Sequence, residues 1–115
     1  MKFKVLIVSK DRNKSVAFAK KITSSKYEKI LSEKYSHNEV SIETESIIFE
    51  VVNFSEYSRG IIYNKLYLDN FEMSTEDEEL FNFVFKGRYR PFYLPNMMSI
   101  EIKEPIEFLD FDNYL

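Results

Sequence analysis

An aspartate follows an apolar run: Ile61-Ile62-Tyr63-Asn64-Lys65-Leu66-Tyr67-Leu68 leads directly into Asp69 and Asn70. A carboxylate delivered by a strand to its own C-terminal end can hold a hydrated hard cation, because Mg2+ is bound through one or two carboxylates and keeps several of its waters. Glu72 is near enough in sequence to supply a second carboxylate, and the pair would then suit a small metal-dependent enzyme acting on phosphates. The competing role for Asp69 is structural, that of a strand-end residue accepting turn amides. Arg59-Gly60 precedes the run and offers a guanidinium to phosphate, although an Arg facing solvent before a permissive turn glycine explains the pair equally well. His37 is the only histidine and there is no cysteine, so no imidazole or thiol set for a soft metal can be assembled. No catalytic residue is assigned.

A second group of residues carries recognition chemistry. Lys86-Gly87-Arg88-Tyr89-Arg90-Pro91-Phe92-Tyr93 interleaves cations with aromatic rings, which together contact phosphates, stack on bases or grip an acidic protein surface. Lys86, Arg88, Tyr89, Arg90 and Tyr93 form the expected partner-binding set, with a protein as the primary partner and nucleic acid as the alternative. The opposing expectation is a basic helix terminus followed by a strand whose Phe92 and Tyr93 enter the core. Residues 104–115 hold four acids and no base. They either dock Phe108 and Phe111 on the domain or present them to a basic, grooved partner, and Glu104 or Asp110 can pair with Arg88 or Arg90 within the molecule.

The elements that must position these groups alternate. Phe3–Ser9 is a short apolar run rich in branched residues, as expected of a strand buried on both faces. Asp11 or Asn13 can cap a helix whose stripe is Val16, Ala19 and Ile22. The spacing Ser25-x-x-Glu28 then predicts a restarted helix through Ile30, Leu31 and Tyr35. Residues 40–44 and 47–52 read as strands of a hairpin, and residues 61–68 as the strand bearing Asp69. Ser74-x-x-Asp77 and Thr75-x-x-Glu78 open a helix with the stripe Leu80, Phe81, Val84 and Phe85, closed by Gly87 at the C′ position. Phe92–Leu94 and Met98–Ile102 read as extended, with Pro91 and Pro95 at their margins. Val5, Ile7, Phe49, Val51, Leu66, Leu68, Leu80 and Val84 are the expected core.

These signals predict a single small α/β domain over residues 1–103, a parallel or mixed sheet of about four to five strands with helices packed on it, and an acidic-aromatic tail over residues 104–115. A chain of 115 residues with 44% hydrophobic content can bury one core and is short for two. No window reaches the roughly 18 consecutive apolar residues of a membrane span, and no leader pattern opens the chain. Absence of cysteine suits the cytoplasm. The formal net charge of −3 conceals an asymmetry, since residues 1–34 carry ten basic side chains against three acidic, a balance of +7 that leaves −10 for the rest. Such polarity either solvates separate faces or steers a charged partner.

The segment Arg59-Gly60-Ile61-Ile62-Tyr63-Asn64-Lys65-Leu66-Tyr67-Leu68-Asp69-Asn70 resembles the Walker B region of helicase- and terminase-type P-loop NTPases, in which an Arg-Gly turn precedes an apolar strand ending in Asp-Glu. The resemblance spans roughly residues 3–85, with the first strand and helix similar to the pair that follows the family's P-loop helix. Arg59, Gly60 and Asp69 match by type. Asn70 stands where the family has its catalytic glutamate, and a neutral amide cannot accept a proton from an attacking water. No G-x-x-x-x-G-K-[ST] occurs, and Gly60 and Gly87 are the only glycines, so no Gly-rich loop can cradle a triphosphate. The resemblance therefore implies a degenerate NTPase-like domain that neither binds nor hydrolyses ATP and needs no cofactor. A non-catalytic module binding a nucleic-acid-processing protein is the expected function, in the size class and low-GC residue style of phage or mobile-element accessory proteins.

Overall fold

The computed structural model describes residues 2–24, 29–36, 39–56, 61–93, 99–100 and 104–114. Arg59, Gly60, His37 and the Ser25–Glu28 spacing lie outside them. Phe3–Ser9 forms β1, followed by helix α1 (Arg12–Ser24), then β2 (Ile30–Tyr35), β3 (Val40–Thr44), β4 (Ile47–Asn53) and β5 (Lys65–Asp69). Helix α2 (Thr75–Leu80) runs on into a π turn (Phe81–Phe85) and a 3-10 turn (Lys86–Arg88), and β6 (Phe92–Tyr93), β7 (Ser99–Ile100) and β8 (Ile106–Leu109) complete the order.

The fold is α/β, with a mixed sheet in the order β2-β3-β4-β1-β5-β8. Six strands exceed the expected four to five because β2 and β8 are both added at its edges. β4, β1, β5 and β8 are mutually parallel, whereas β2 and β3 are antiparallel to their neighbours. β6 and β7 pair separately.

β1 lies in the middle, and its residues from Val5 to Ser9 are all buried. The reason is that both faces of the sheet are covered. Leu6 and Val8 join Leu66, Leu68, Phe81 and Phe85 on one face, and Val5 and Ile7 join Phe18, Ala19, Phe49 and Phe111 on the other. The eight residues expected to form one core thus divide between two layers, with Val51, Leu80 and Val84 half-buried at the margins.

Three local expectations are corrected. Residues 30–35 are not helical but form β2, an edge strand paired antiparallel with β3, with a register shift between Ile30 and Ser32. Ser36 closes the turn, its amide donating to the Glu39 carbonyl at 2.8 Å while its hydroxyl accepts the Glu39 amide at 3.1 Å. An edge strand exposed over most of its length carries no alternation to read, and backbone pairing to β3 outweighs the weak helical preference of a Ser-Glu-Lys stretch. Gly87 does not end its helix in a left-handed conformation. The helix instead passes through π and 3-10 turns, and the chain leaves at Tyr89 in extended backbone, φ −65° and ψ 136°. The third correction concerns the start of the Asp69 strand, which is Lys65 rather than Ile61. Asn64 precedes it, taking the Lys4 amide on its Oδ1 at 2.8 Å and donating its own amide to the Lys4 carbonyl at 2.9 Å.

Leu68 is fully buried between β5 and the π turn, so Leu68→Ala is expected to cost about 2–5 kcal/mol in urea denaturation. A loss below about 0.5 kcal/mol would be incompatible with a core position.

Candidate functional site

β1 and β5 are adjacent and parallel, yet the helices that follow them pack on opposite faces of the sheet. Their C-terminal ends therefore meet at the switch point of the topology, where open α/β sheets form a ligand crevice. Ser9 and Asp69 are the residues placed there.

Asp69 is 6% exposed, and a buried carboxylate needs donors. The Ser9 hydroxyl donates to its Oδ2 at 2.8 Å, and the Phe111 amide donates to its Oδ1 at 3.1 Å. Ser9 Oγ in turn accepts the Asp11 amide at 3.1 Å, and Asp11 caps α1 by accepting the Asn13 amide at 3.0 Å. One chain of hydrogen bonds thus joins the start of α1, the end of β1, the end of β5 and the C-terminal segment. Phe111 itself is fully buried and stacks on Phe18, with ring centroids 4.2 Å apart and an interplanar angle of 3°. Asn70 donates its backbone amide to the Leu109 carbonyl at 2.7 Å. Asp112 is paired with Lys14 at 3.0 Å, which raises the Lys14 pKa through that hydrogen bond and the charge of Asp112. Phe111 and its neighbours are thereby tied to the C-terminal ends of β1 and β5.

Glu72 is exposed beyond the strand end. Among the described residues, no group of three or more His, Asp or Glu side chains converges as ligands for a metal ion.

Residues 86–93 are held at a different place. The Tyr63 amide donates to the Arg88 carbonyl at 3.0 Å and the Arg90 amide donates to the Tyr63 carbonyl at 2.8 Å. Asn64 Nδ2 adds a bond to the Arg90 carbonyl at 2.9 Å. Tyr89 turns inward against Tyr63, whose hydroxyl donates to the Phe85 carbonyl at 2.9 Å. Phe92 packs edge-on against Phe3, while Lys86, Arg90 and Tyr93 are exposed and Arg88 is half-buried. The Lys86 ammonium lies over the Phe81 ring at 5.3 Å. The Arg90 guanidinium bonds back to the carbonyls of Gly87 and Tyr89 at 2.8 and 2.7 Å. Neither Arg88 nor Arg90 forms an ion pair among the described residues; the carboxylates near the C-terminus pair elsewhere, Glu107 with Lys65 and Asp112 with Lys14.

Phe83 is absent from the expected binding set, yet at 82% exposure it stands open on the helix bearing Lys86. Its signal was present: the stripe Leu80, Phe81, Val84 and Phe85 leaves Phe83 on the other side, an aromatic residue off the packing face. No protein-family model, curated protein or solved structure matches the chain.

Asp69→Ala should strand the Ser9 hydroxyl and the Phe111 amide and cost about 2 kcal/mol or more in urea denaturation. A change below about 0.5 kcal/mol would show that the carboxylate is not a structural tie. Asp77 generates a pH prediction. It completes the capping box with Ser74 and pairs with Lys10 at 2.6 Å, and the Lys10 hydrogen bond, then the Ser74 amide, lower its pKa. A lowered folded pKa contributes stability that is complete above the ordinary carboxylate range and lost as the pH falls through the lowered value. Asp77→Asn is therefore expected to flatten the decline in melting temperature as the pH falls below about 4, and an unchanged acid limb would refute it.

Proposed function

We propose that the protein is a cytoplasmic, non-catalytic binding module that grips a protein partner through Lys86, Arg88, Tyr89, Arg90 and Tyr93. The observation that carries this reading is the mounting of the segment. Its backbone is bonded on both sides to Tyr63, while two arginines remain without an ion pair among the described residues. A surface whose backbone is already ordered loses little conformational entropy on docking, so more of its contact energy survives as affinity. Tyr89 acts here as the inward anchor that sets the register of its neighbours, and Lys86, Arg90 and Tyr93 supply the outward contact. Arg and Tyr are the side chains that most often dominate interface energies.

The Walker B-like segment and its departures support a degenerate NTPase-like domain. At the place where such a fold would work on a nucleotide, Asp69 ties down the C-terminal segment and Asn70 gives its backbone to Leu109. A nucleic-acid-processing protein is the partner class that fits this lineage, the segment taking the place of a basic nucleic-acid contact or docking on an acidic rim.

The test begins with a partner identified by affinity purification from the native host. Arg88→Ala with Arg90→Ala should then weaken binding at least about tenfold, while the melting temperature stays within about 4 °C, equivalent to about 1 kcal/mol for a domain of this size. Unchanged binding with a large fall in melting temperature would assign the arginines to the fold instead.

A further inference from the structure

Phe83 follows a run of acidic side chains, of which only Asp77 enters an ion pair among the described residues. Glu72, Glu76, Glu78 and Glu79 are exposed, and none of the six ion pairs among the described residues includes them. Glu76 and Glu79 precede Phe83 by seven and four residues and so share its side of the helix. Beyond Phe83, a Cβ added at Gly87 would meet nothing within 4 Å. This face presents one exposed ring, with Glu76 and Glu79 before it and Lys86 after it.

The other face of the sheet carries the complementary surface. Lys20 and Lys21 on α1 are exposed and take part in no ion pair among the described residues, as is Lys29 just before β2. The Lys20 ammonium lies over the Tyr35 ring at 4.8 Å, and Tyr35 and Leu31 on β2 are 43% and 60% exposed. Glu33 reduces the positive balance of this patch but is engaged by the Tyr35 hydroxyl at 2.9 Å. Lys34 and Glu39 neutralise each other at 3.0 Å. Each surface therefore joins exposed apolar groups to unneutralised charge, and the signs are opposite.

We propose that Phe83 with Glu76 and Glu79 docks on the Lys20, Lys21, Leu31 and Tyr35 surface of a second copy of this chain. Because α1 and α2 cover opposite faces of the sheet, the contact joins unlike surfaces and copies add head to tail. An isologous contact of either patch with itself would set like charges together, which disfavours a closed dimer through that patch. This inference rests on residues other than those of the partner-binding segment, and it stands or falls separately from it.

Sedimentation velocity on the full-length protein tests it. In low salt the weight-average sedimentation coefficient should rise between about 10 μM and about 500 μM, the range for weak association, and fall back in about 1 M salt, where the screening length is about 3 Å. Phe83→Asp should abolish the rise. The double variants Glu76→Lys/Glu79→Lys and Lys20→Glu/Lys21→Glu should each remain monomeric alone and associate when mixed, since reversing both partners restores attraction. Restoration on mixing also shows that both variants are folded. A wild-type protein that stays monomeric to about 500 μM overturns the proposal, as does association that survives Phe83→Asp or a mixture that remains monomeric.

Discussion

A carboxylate taken out of water must be met by donors, and the way Asp69 is met organises this protein. Its two oxygens receive the Ser9 hydroxyl and the Phe111 amide, so one side chain joins the ends of two central strands to the turn that begins at Phe111. Ser9 passes the connection to Asp11, which caps α1. The helix start, the sheet's switch point and the C-terminal segment are thereby interdependent. Neutral hydrogen bonds contribute little net stability, whereas bonds to an ion contribute more, and an ion stripped of its donors is costly.

That tie also explains why the chain near the C-terminus can be strongly acidic and still pack. Its acids are not buried together: Glu107 meets Lys65, Asp112 meets Lys14, and Asp110 accepts the Asp112 amide. The apolar residues between them do the packing. Phe111 fills the layer against Phe18, and Phe108 remains half-exposed beside Phe81. β8 then extends the parallel part of the sheet by pairing Leu66 with Ile106 and Leu68 with Phe108.

The basic and acidic halves seen in the composition become opposed surfaces through the same topology. α1 brings its lysines to one face of the sheet and α2 brings its glutamates to the other. Where the halves meet, at the C-terminal ends of the strands, they neutralise each other in the Lys10–Asp77 and Lys14–Asp112 pairs. Elsewhere Lys2, Lys4, Lys34 and Lys65 pair with Glu43, Glu50, Glu39 and Glu107, whereas Lys20, Lys21, Glu76 and Glu79 enter no ion pair among the described residues.

What the sequence by itself determined was whatever local periodicity can encode. A seven-residue apolar strand, a capped helix after it, the hairpin of β3 and β4, the capping box at Ser74 and the α/β class are all properties of neighbouring residues, and each is present in the structure. The recognition segment 86–93 was legible as a composition, and Asp69 as a strand-end carboxylate with two competing roles. Tertiary structure decided the rest. Residues 30–35 became a strand because β3 offered backbone partners that no local pattern records. Gly87 was not needed as a left-handed stop because the helix ends where Tyr63 captures the following backbone. The donors to Asp69 come from positions 60 residues earlier and 42 later, and the core divides in two because β1 has a neighbour on each side and a helical layer on each face. Such contacts join residues far apart in the chain, and only the closed fold brings them within bonding distance.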